Sequence, residues 1–585
     1  MQKCIAILFA VAFFVLAPAV PIFAAQPAKP YTIMIYMNGS DLESDHGLAT
    51  NDLTQMLDSG IKSQNANVII LTGGTNRWQN SAIPENDCII WQLADGAINE
   101  VKSMGKVNMG SPATLQDFIT FAMARYPAQK YGLIMWDHGG GAIAGFGHDE
   151  KFDDDHLTLA EMAQAFEAAG LRHHKLEFLG FDACLMATVE MAVLAADYAH
   201  VMIASEDLEP GEGWDYRFLS VLNDTPHMDG FALGKVIVDS FIDFFGEDSN
   251  ELLALSVTDL ARVQPVMDAM GALMEKAGGK MGSRGFEQNP SFVKNRGFQQ
   301  NRGFRKLAQR RAATKTFGEG SPRDNYADMV DVGDMALMLM DLFPKEAEKV
   351  LEALENCVVY NRHNSDIDLW GLSAFYIYGG KSQGEASLKT YGELGMSPGY
   401  TSYLQKFFQG LKNRQPSPVI RRGMALMQPV SADVYRMVGL LQTDRAGSYF
   451  WSKINGRHGA LFPVAATTNT RLYAIPAKIN RQDANIMVAF SHKHPQGKVL
   501  GSRKVERVYQ KGYTPLVAGD EVALYYLEWN RATGEESWRT GDIFTLKNSP
   551  SLAWGKAPDK HELWIRETDV CGWVRLAPFT SRRTN

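Results

Sequence analysis

Runs of consecutive apolar residues punctuate roughly the first 410 positions of the chain. They cover residues 31–37, 68–72, 133–136, 176–181 and 201–204. Between them, apolar residues recur every three or four positions, which predicts amphipathic helices. Strands with continuous apolar runs are buried on both faces, and their alternation with helices favours a largely parallel sheet. The pattern therefore predicts an α/β domain over residues 26–412.

The pattern changes after residue 412. Short apolar stretches at 448–451, 472–475, 486–490 and 522–526 are separated by turn-forming residues. Such spacing is typical of antiparallel strands and predicts a separate all-β domain over residues 413–585, most simply a sandwich. No residue of this domain is a catalytic candidate from the sequence.

The first 25 residues have the organisation of a secretory signal peptide. Lys3 is the positive end, residues 5–16 are the apolar core, and Ala24 or Ala25 precedes the expected cut. No later stretch is apolar for long enough to span a bilayer. We therefore expect a secreted or periplasmic protein without a membrane span in its mature form.

Composition narrows the class of partner. The chain has 585 residues, of which 45% are apolar, and a formal net charge of −8. An acidic globular protein of this kind is not expected to have nucleic acid as its main partner. After removal of the signal, the cysteines are Cys88, Cys184, Cys357 and Cys571, which are too scattered for a disulfide framework and lack zinc-site spacing.

Residues 280–323 differ from the rest of the chain. An Arg-Gly-Phe triplet occurs at residues 284–286, 296–298 and 302–304, and five further basic residues follow by residue 315. This composition predicts a flexible, protease-sensitive or regulatory insertion. Contact with RNA or another anionic surface is the less favoured alternative.

Two apolar runs end in reactive residues. His138 follows the run at 133–136 and precedes three glycines, and Cys184 follows the run at 176–181. In open α/β sheets, functional side chains collect at the carboxyl ends of strands. A cysteine and a histidine at two such ends predict a thiol nucleophile and its base. The backbone N–H groups of Gly139 and Cys184 are the expected oxyanion hole.

An acidic loop separates these two motifs. Residues 148–156 include Asp149, Glu150 and three consecutive aspartates at 153–155. Several carboxylates could hold calcium. The spacing is not that of an EF-hand, so a solvated loop is the favoured interpretation. Lys151 is expected to be exposed and open to proteolysis.

The local sequence around these residues resembles that of a known family. The segments are Tyr36-Met37, Trp136-Asp137-His138-Gly139-Gly140-Gly141, Phe181-Asp182-Ala183-Cys184-Leu185-Met186, Glu209-Pro210-Gly211-x-Gly213-Trp214 and Gly371-Leu372-Ser373. Together they resemble the clostripain family of cysteine peptidases, which have a caspase-like fold. The resemblance extends from residue 31 to residue 411 without the basic insertion, and does not include the β domain.

The resemblance implies a caspase-like α/β/α sandwich and an endopeptidase with His138 and Cys184 as its catalytic pair. It implies cleavage after Arg or Lys, with Asp182 and, by a looser match, Asp207 binding the basic side chain. A structural role beside the nucleophile is the alternative for Asp182. Self-cleavage at Lys151 and calcium dependence are also implied, while the chemistry itself requires no cofactor.

Other functions remain open from the sequence. A non-catalytic exported binding protein could use the same scaffold. A related transpeptidase would share the thioester step and differ only in the nucleophile that accepts the acyl group. The expected partners are proteins or peptides that contain Arg or Lys, and the oligomeric state is not specified.

Overall fold

A computed structural model describes most of the chain. The described residues are 28–246, 249–281, 293–318, 323, 327–412, 419–440, 442–443, 449–505, 510–555 and 561–578. The signal-peptide prediction for residues 1–25 and the first Arg-Gly-Phe triplet lie outside them.

Fourteen strands precede residue 412 in the described part of the chain. They are β1 (Lys29–Asn38), β2 (Ala66–Gly73), β3 (Cys88–Ala94), β4 (Ala97–Gly105), β5 (Ala128–Trp136), β6 (Phe146–Asp149), β7 (Asp155–Leu157), β8 (Leu176–Asp182), β9 (Ala199–Ala204), β10 (Ala254–Asp259), β11 (Thr316–Phe317), β12 (Met329–Asp331), β13 (Val358–His363) and β14 (Ser373–Phe375).

Thirteen α-helices lie among them in the same part of the chain. They are α1 (Ser40–Ser44), α2 (Leu48–Asp58), α3 (Pro112–Arg125), α4 (Gly141–Ala144), α5 (Leu159–Ala168), α6 (Val189–Ala195), α7 (Gly230–Phe245), α8 (Val263–Lys280), α9 (Val293–Ala313), α10 (Val332–Leu339), α11 (Pro344–Cys357), α12 (Gly384–Glu393) and α13 (Pro398–Lys412). Two 3₁₀ segments, Tyr216–Asn223 and Leu260–Arg262, complete the helical structure.

Nine strands form one central sheet in the order β13-β10-β9-β8-β5-β1-β2-β3-β4. The five strands from β9 to β2 are parallel, and two antiparallel strands extend each edge. Alternate residues of β1 enter separate cores: Met34 and Tyr36 pack with α3, α5 and α8, while Ile33 and Ile35 pack with α2 and α7. This confirms the α/β/α sandwich with its mostly parallel sheet.

Several elements differ from the sequence prediction. The apolar spacing of Leu42, Leu48, Leu53 and Met56 predicts one helix, but the structure has two, because Gly47 has φ +67° between them. The short apolar run at residues 88–91 predicts an edge strand, but β3 lies inside the sheet because β4 pairs outside it. The spacing from Met329 to Leu342 predicts a helix, but Met329 begins β12. The apolar run at 369–378 predicts one strand, but strand structure there is limited to β14, in a separate three-stranded sheet.

The prediction that residues 280–323 are flexible is wrong for the second half of this range. From residue 303 onward, α9 packs against the domain through Leu307 and Ala308, and Phe304 lies 5.5 Å from Phe407 between ring centroids. Arg311 is buried, donates from Nε to the Tyr376 carbonyl (2.8 Å) and pairs with Asp328. A basic residue is tolerated in this core because the carbonyl, the carboxylate and a tyrosine face satisfy its guanidinium.

Antiparallel strands occupy residues 419–578, as the alternating pattern predicts. They are β15 (Val419–Pro429), β16 (Val434–Leu440), β17 (Gln442–Thr443), β18 (Tyr449–Ile454), β19 (Arg457–His458), β20 (Phe462–Ala466), β21 (Thr470–Ile479), β22 (Gln482–Ser491), β23 (Lys498–Lys504), β24 (Glu521–Asn530), β25 (Glu536–Thr540), β26 (Phe544–Thr545), β27 (Leu552–Gly555), β28 (Glu562–Asp569) and β29 (Val574–Pro578).

Eleven of these strands share one sheet, and a smaller group pairs with β18. In the described part of the chain, no helix is both long and apolar enough to cross a membrane. Cys88, Cys184, Cys357 and Cys571 are all buried, and no disulfide bond joins them in the described part of the chain.

Candidate active site

His138 and Cys184 come together because the strands that precede them are neighbours. β5 and β8 pair in parallel, with Trp136 opposite Asp182. His138 and Cys184 each follow two residues after these register partners, so the same edge of the sheet presents both. Both residues are fully buried.

The backbones of the two motifs are in close contact. A Cβ atom placed on Gly139 would lie 1.9 Å from the Cys184 carbonyl oxygen, so any side chain at residue 139 would clash. Leu185, the residue after Cys184, has φ +62° and donates its N–H to the Asp207 carbonyl (3.0 Å). The glycine and the sharp turn therefore hold the two loops at a fixed separation.

Both ring nitrogens of His138 are engaged. Nε2 lies 2.8 Å from Asp41 Oδ1, and Nδ1 accepts the backbone N–H of Lys511 at 3.0 Å. A nitrogen that accepts carries no proton, so the imidazole is neutral with its proton on Nε2, donated to Asp41. Burial opposes ionisation of Asp41, but His138, Lys504 and His148 outweigh it and hold its pKa well below its usual range.

A second imidazole and a buried carboxyl support the loop that carries His138. The His148 ring stacks on that of His138 with centroids 5.2 Å apart and planes 3° from parallel. Asp137 accepts the Ser40 hydroxyl (2.6 Å) and the His148 N–H (2.8 Å). Burial raises the pKa of Asp137 to about 7, against the opposing charge of His148.

The surroundings of the Cys184 thiol favour its protonated form. Its Sγ accepts the Glu209 N–H at 3.2 Å. Burial, reinforced by the Glu209 carboxyl, raises the pKa of Cys184 to about 12. A thiol with this pKa is not nucleophilic at neutral pH without a base beside it.

Asp182 forms the floor of a narrow pocket next to Cys184. Its Oδ2 accepts the Tyr216 hydroxyl (3.0 Å) and the Trp214 N–H (3.3 Å), while Oδ1 faces the pocket. Gly213 forms one wall, because a Cβ there would lie 2.5 Å from Asp182 Oδ1. The pocket thus presents a fixed, buried carboxylate oxygen to a side chain that enters it.

A lysine from the β domain occupies this pocket. Lys511 Nζ contacts Asp182 Oδ1, donates to the Asp182 carbonyl (2.9 Å), and lies 3.5 Å from Glu209 Oε2 and 5.6 Å from the centroid of the Trp136 ring. Burial alone would lower the pKa of Lys511, but Asp182 and Glu209 outweigh it and raise the pKa above its usual value. The pocket therefore stabilises a lysine ammonium in its charged form.

Glu209 supplies the second carboxyl of the pocket. Burial raises its pKa well above the usual range, Lys511 opposes this shift, and Asp182 adds to it. Among the described residues, neither carboxyl oxygen of Glu209 has a hydrogen-bond partner. The pocket therefore has acceptor capacity beyond what the three donors of an ammonium group use.

Asp207, the other sequence candidate for this role, is directed elsewhere. Its Oδ1 accepts the N–H of the next residue, Leu208, at 2.8 Å. Burial raises its pKa, and Lys315 and Arg503 oppose the shift. The carboxyl beside the Lys511 ammonium belongs to Glu209 and not to Asp207.

Lys151 lies in the turn between β6 and β7. Its N–H donates to Asp149 Oδ1 (2.8 Å), and Asp153 and Asp154 after it have φ of 54° and 56°. The residue is half-buried and not exposed as expected, and its Nζ has no hydrogen-bond partner in the described part of the chain. Self-cleavage at Lys151 stays a prediction.

Potential metal ligands lie around His138 and not in the acidic loop. Asp149 accepts the N–H groups of Met109 and Lys151, so its oxygens serve the fold. Within the described ranges, three ligand atoms within 4.8 Å of one another occur at Asp41, His138 and His148. Two imidazoles suit a transition metal better than calcium, and a calcium requirement stays a prediction.

The family model described as the clostripain family matches residues 35–384 of this chain. This range contains every element that surrounds His138 and Cys184 before the β domain. The chain belongs to the clostripain family. Its members are cysteine peptidases, which agrees with the resemblance carried by the motifs around His138 and Cys184.

Individual relatives show how far the likeness extends. Clostripain from Hathewaya histolytica is 28% identical over 221 residues, which are 32% of this chain and 40% of that protein. The structure of a secreted cysteine protease from Bacteroides thetaiotaomicron, solved with an irreversible peptide inhibitor, is 14% identical to this chain, with a TM-score of 0.46. The alignment covers 62% of this chain and 98% of that protein. The structure of an inactive zymogen protease from Parabacteroides distasonis is 18% identical, with a TM-score of 0.46, and the alignment covers 63% of this chain and 99% of that protein.

Four residues of the site were not identified from the sequence of this clostripain-family chain. Asp41 follows the end of β1, so its place at the carboxyl edge of the sheet was the available signal. His148 lies within β6 and stacks on His138, and it carried no comparable signal. Glu209 stands in the Glu-Pro-Gly-x-Gly-Trp turn already noted as part of the family pattern. Lys511 carries no local signal, because it reaches the pocket from 327 residues beyond Cys184.

Proposed function

We propose that this protein is an exported cysteine endopeptidase that hydrolyses peptide bonds after lysine or arginine. The observation that carries the proposal is the lysine side chain in a pocket with two carboxyl groups next to a buried thiol. A substrate whose basic side chain replaced that of Lys511 would bring its following peptide bond to Cys184.

The reaction is acyl transfer through a thioester. His138 Nδ1 takes the Cys184 proton as Sγ attacks the scissile carbonyl carbon, and the imidazolium then protonates the departing amine. Water, deprotonated by the same imidazole, hydrolyses the thioester and restores the thiol. The N–H groups of Gly139 and Cys184 are the proposed donors to the tetrahedral oxyanion.

Asp41 is a positioning residue in this proposal. Its contact with Nε2 fixes the tautomer that leaves Nδ1 unprotonated and able to accept a proton. The same carboxylate stabilises the imidazolium that forms when the thiol loses its proton. The pair of His138 and Cys184 thus acts with a third, orienting group.

Specificity for a basic residue rests on Asp182 and Glu209. Asp182 supplies a fixed carboxylate oxygen and its backbone carbonyl to an ammonium group. The Glu209 carboxyl, which lies 3.5 Å from the Lys511 ammonium, can accept the additional donors of a guanidinium, which carries five N–H groups. This supports acceptance of arginine as well as lysine. Export rests on the signal-like residues 1–25, and self-processing at Lys151 remains part of the proposal.

The test uses the full chain with Lys511→Ala, so that the pocket is open to substrate. Three peptides that differ only in the residue before the scissile bond (lysine, arginine or leucine) are assayed by mass spectrometry. We expect cleavage after lysine and arginine, little after leucine, and none with a second change of Cys184→Ala. Cys357→Ala, which removes another buried thiol, is the matched control. Equal cleavage of all three peptides, or activity without Cys184, would contradict the proposal.

A further inference from the structure

The β domain reaches the proposed active site through a short segment, Gln510–Lys511–Gly512. Besides the Lys511 side chain, the Gly512 N–H donates to the Glu209 carbonyl at 3.1 Å. The loop that contains Glu209 and the segment are therefore joined by both a backbone hydrogen bond and an ion pair. This is the way a bound peptide is held, since backbone bonds give affinity and a side-chain pocket gives specificity.

We infer that this segment is a built-in, lysine-bearing inhibitor of the peptidase, and that the enzyme works only when the segment is withdrawn. The inference rests on the proposed function, because it takes the Lys511 pocket to be the substrate pocket. It assigns a regulatory role to a domain that carries no catalytic candidate.

The segment inhibits in two ways. It fills the pocket for the basic side chain, with the Lys511 ammonium completely buried. It also donates the Lys511 N–H to His138 Nδ1, the nitrogen that must accept the Cys184 proton. Because the base is already hydrogen-bonded and the thiol is protonated, the bound lysine is in a non-productive arrangement and not in that of a substrate about to be cut.

A second set of contacts anchors the same part of the β domain. Lys504 Nζ lies 2.6 Å from Asp41 Oδ2 and 2.9 Å from Asp45 Oδ2. Thr514 Oγ1 lies 3.1 Å from His46 Nε2. These contacts flank Lys511 on both sides in the sequence and end on the loop that orients His138. The segment is therefore fixed at both ends while its centre occupies the site.

Open space adjoins the segment. A cavity of about 620 Å³ lies beside it, between the Gly211–Glu212 turn and Tyr513 of the β domain. A displaced segment therefore has room next to the pocket. While it stays tethered, its lysine competes with small substrates at an effective concentration of about 1 mM.

The experiment compares the full wild-type chain with Lys511→Ala. Lys478→Ala is the matched control, because Lys478 lies in the same domain and its ion-pair partner is Asp483. The first readout is the rate of Cys184 alkylation by uncharged iodoacetamide, followed by peptide mass mapping. The second is the initial rate of hydrolysis of a short lysine peptide. We expect Lys511→Ala to raise both rates at least about 10-fold, and Lys478→Ala to change neither.

A second variant keeps the lysine. Gly512 has φ +59°, and a Cβ there would lie 2.6 Å from the Gly211 N atom, so Gly512→Val should expel the segment with Lys511 intact. Thermal unfolding verifies that each variant is folded. Higher alkylation in both variants supports the inference even if neither cleaves peptides, in which case only the proposed function fails. Unchanged alkylation and hydrolysis in both variants would overturn it, as would wild-type protein isolated fully cut after Lys511.

Discussion

At the scale of single residues, the site depends on which atom of His138 is available. Asp41 holds the proton on Nε2 and so leaves Nδ1 to accept, yet in the resting structure Nδ1 accepts from Lys511 and not from the thiol. Under the proposed mechanism, one orientation of His138 therefore serves both catalysis and the proposed inhibition. Asp41 would take part in both, because Lys504 Nζ lies 2.6 Å from its second oxygen.

We expect Asp41→Asn to lower kcat by about 100-fold with little change in KM, because it removes an orienting group and leaves the pocket intact. The assay is made in the Lys511→Ala chain, so that release of the segment does not mask the loss. Asp45→Asn is the control, since Asp45 also pairs with Lys504 but has no contact with His138. An equal effect of the two variants would show that Asp41 acts only through Lys504.

Glu209 should make recognition of lysine depend on pH. Because burial raises its pKa well above the usual range, Glu209 gains its charge only as the pH rises through that pKa. The ratio of kcat/KM for a lysine peptide to that for its neutral norleucine analogue should therefore increase with pH, by roughly 10-fold for one charge-assisted hydrogen bond.

Glu209→Gln, in the Lys511→Ala chain, should remove that increase and leave a constant ratio. Asp207→Asn should retain it, because Asp207 binds the Leu208 N–H and not the lysine ammonium. The result that would contradict this account is a constant ratio in the Asp207 variant together with a rising ratio in the Glu209 variant.

At the scale of elements, a buried carboxyl joins α6, the helix after Cys184, to the three-stranded sheet that contains β14. Glu190 in α6 accepts the Phe375 N–H of β14 at 3.0 Å, and burial raises its pKa from 4.5 to about 7. A raised carboxyl pKa means that the folded state binds the proton more tightly than the unfolded state. Stability from this group is therefore complete below pH 4.5 and is lost as the pH rises through 7.

We expect Glu190→Gln to abolish this loss, which amounts to about 3 kcal/mol. Gln keeps the oxygen that accepts the Phe375 N–H but carries no ionisable proton. Denaturant unfolding at pH 5 and pH 8 measures the difference, and Glu348→Gln, at an exposed position of α11, is the control. A wild-type protein that loses no more stability than the Glu190 variant over this range would refute the assignment.

The elements also show what the sequence could reveal. The buried strands were predictable because residues such as Met34 and Ile35 face opposite cores, which requires a continuous apolar run. His138 and Cys184 were identifiable because each lies two or three residues after the end of such a run. The basic helix was not, because Arg311 is accommodated by a carbonyl, a carboxylate and tyrosine rings that come from distant positions.

At the scale of the whole molecule, the two domains share one site. The peptidase domain contributes the Cys184 thiol, the His138 imidazole and the pocket, and the β domain contributes the lysine that occupies the pocket. No periodicity in the sequence could connect Lys511 with Asp182, because the contact depends on how two independently patterned domains dock. The role of the β domain therefore emerges only from the assembled chain.

Hydrogen exchange should report separation of the segment from the pocket. A peptidyl chloromethyl ketone that carries lysine and alkylates Cys184, with loss of chloride, would place its lysine side chain against Asp182 and displace Lys511. The amides of Lys511 and Gly512, which donate to His138 and Glu209, should then exchange faster than in the untreated chain.

The amides of Ser502 and Thr514 are the internal control. They bond to each other's carbonyls within the β domain, so their protection should persist. Residue-resolved mass spectrometry distinguishes the two pairs. Loss of protection at all four amides would indicate unfolding of the β domain, and retention at all four would mean that lysine enters by another route.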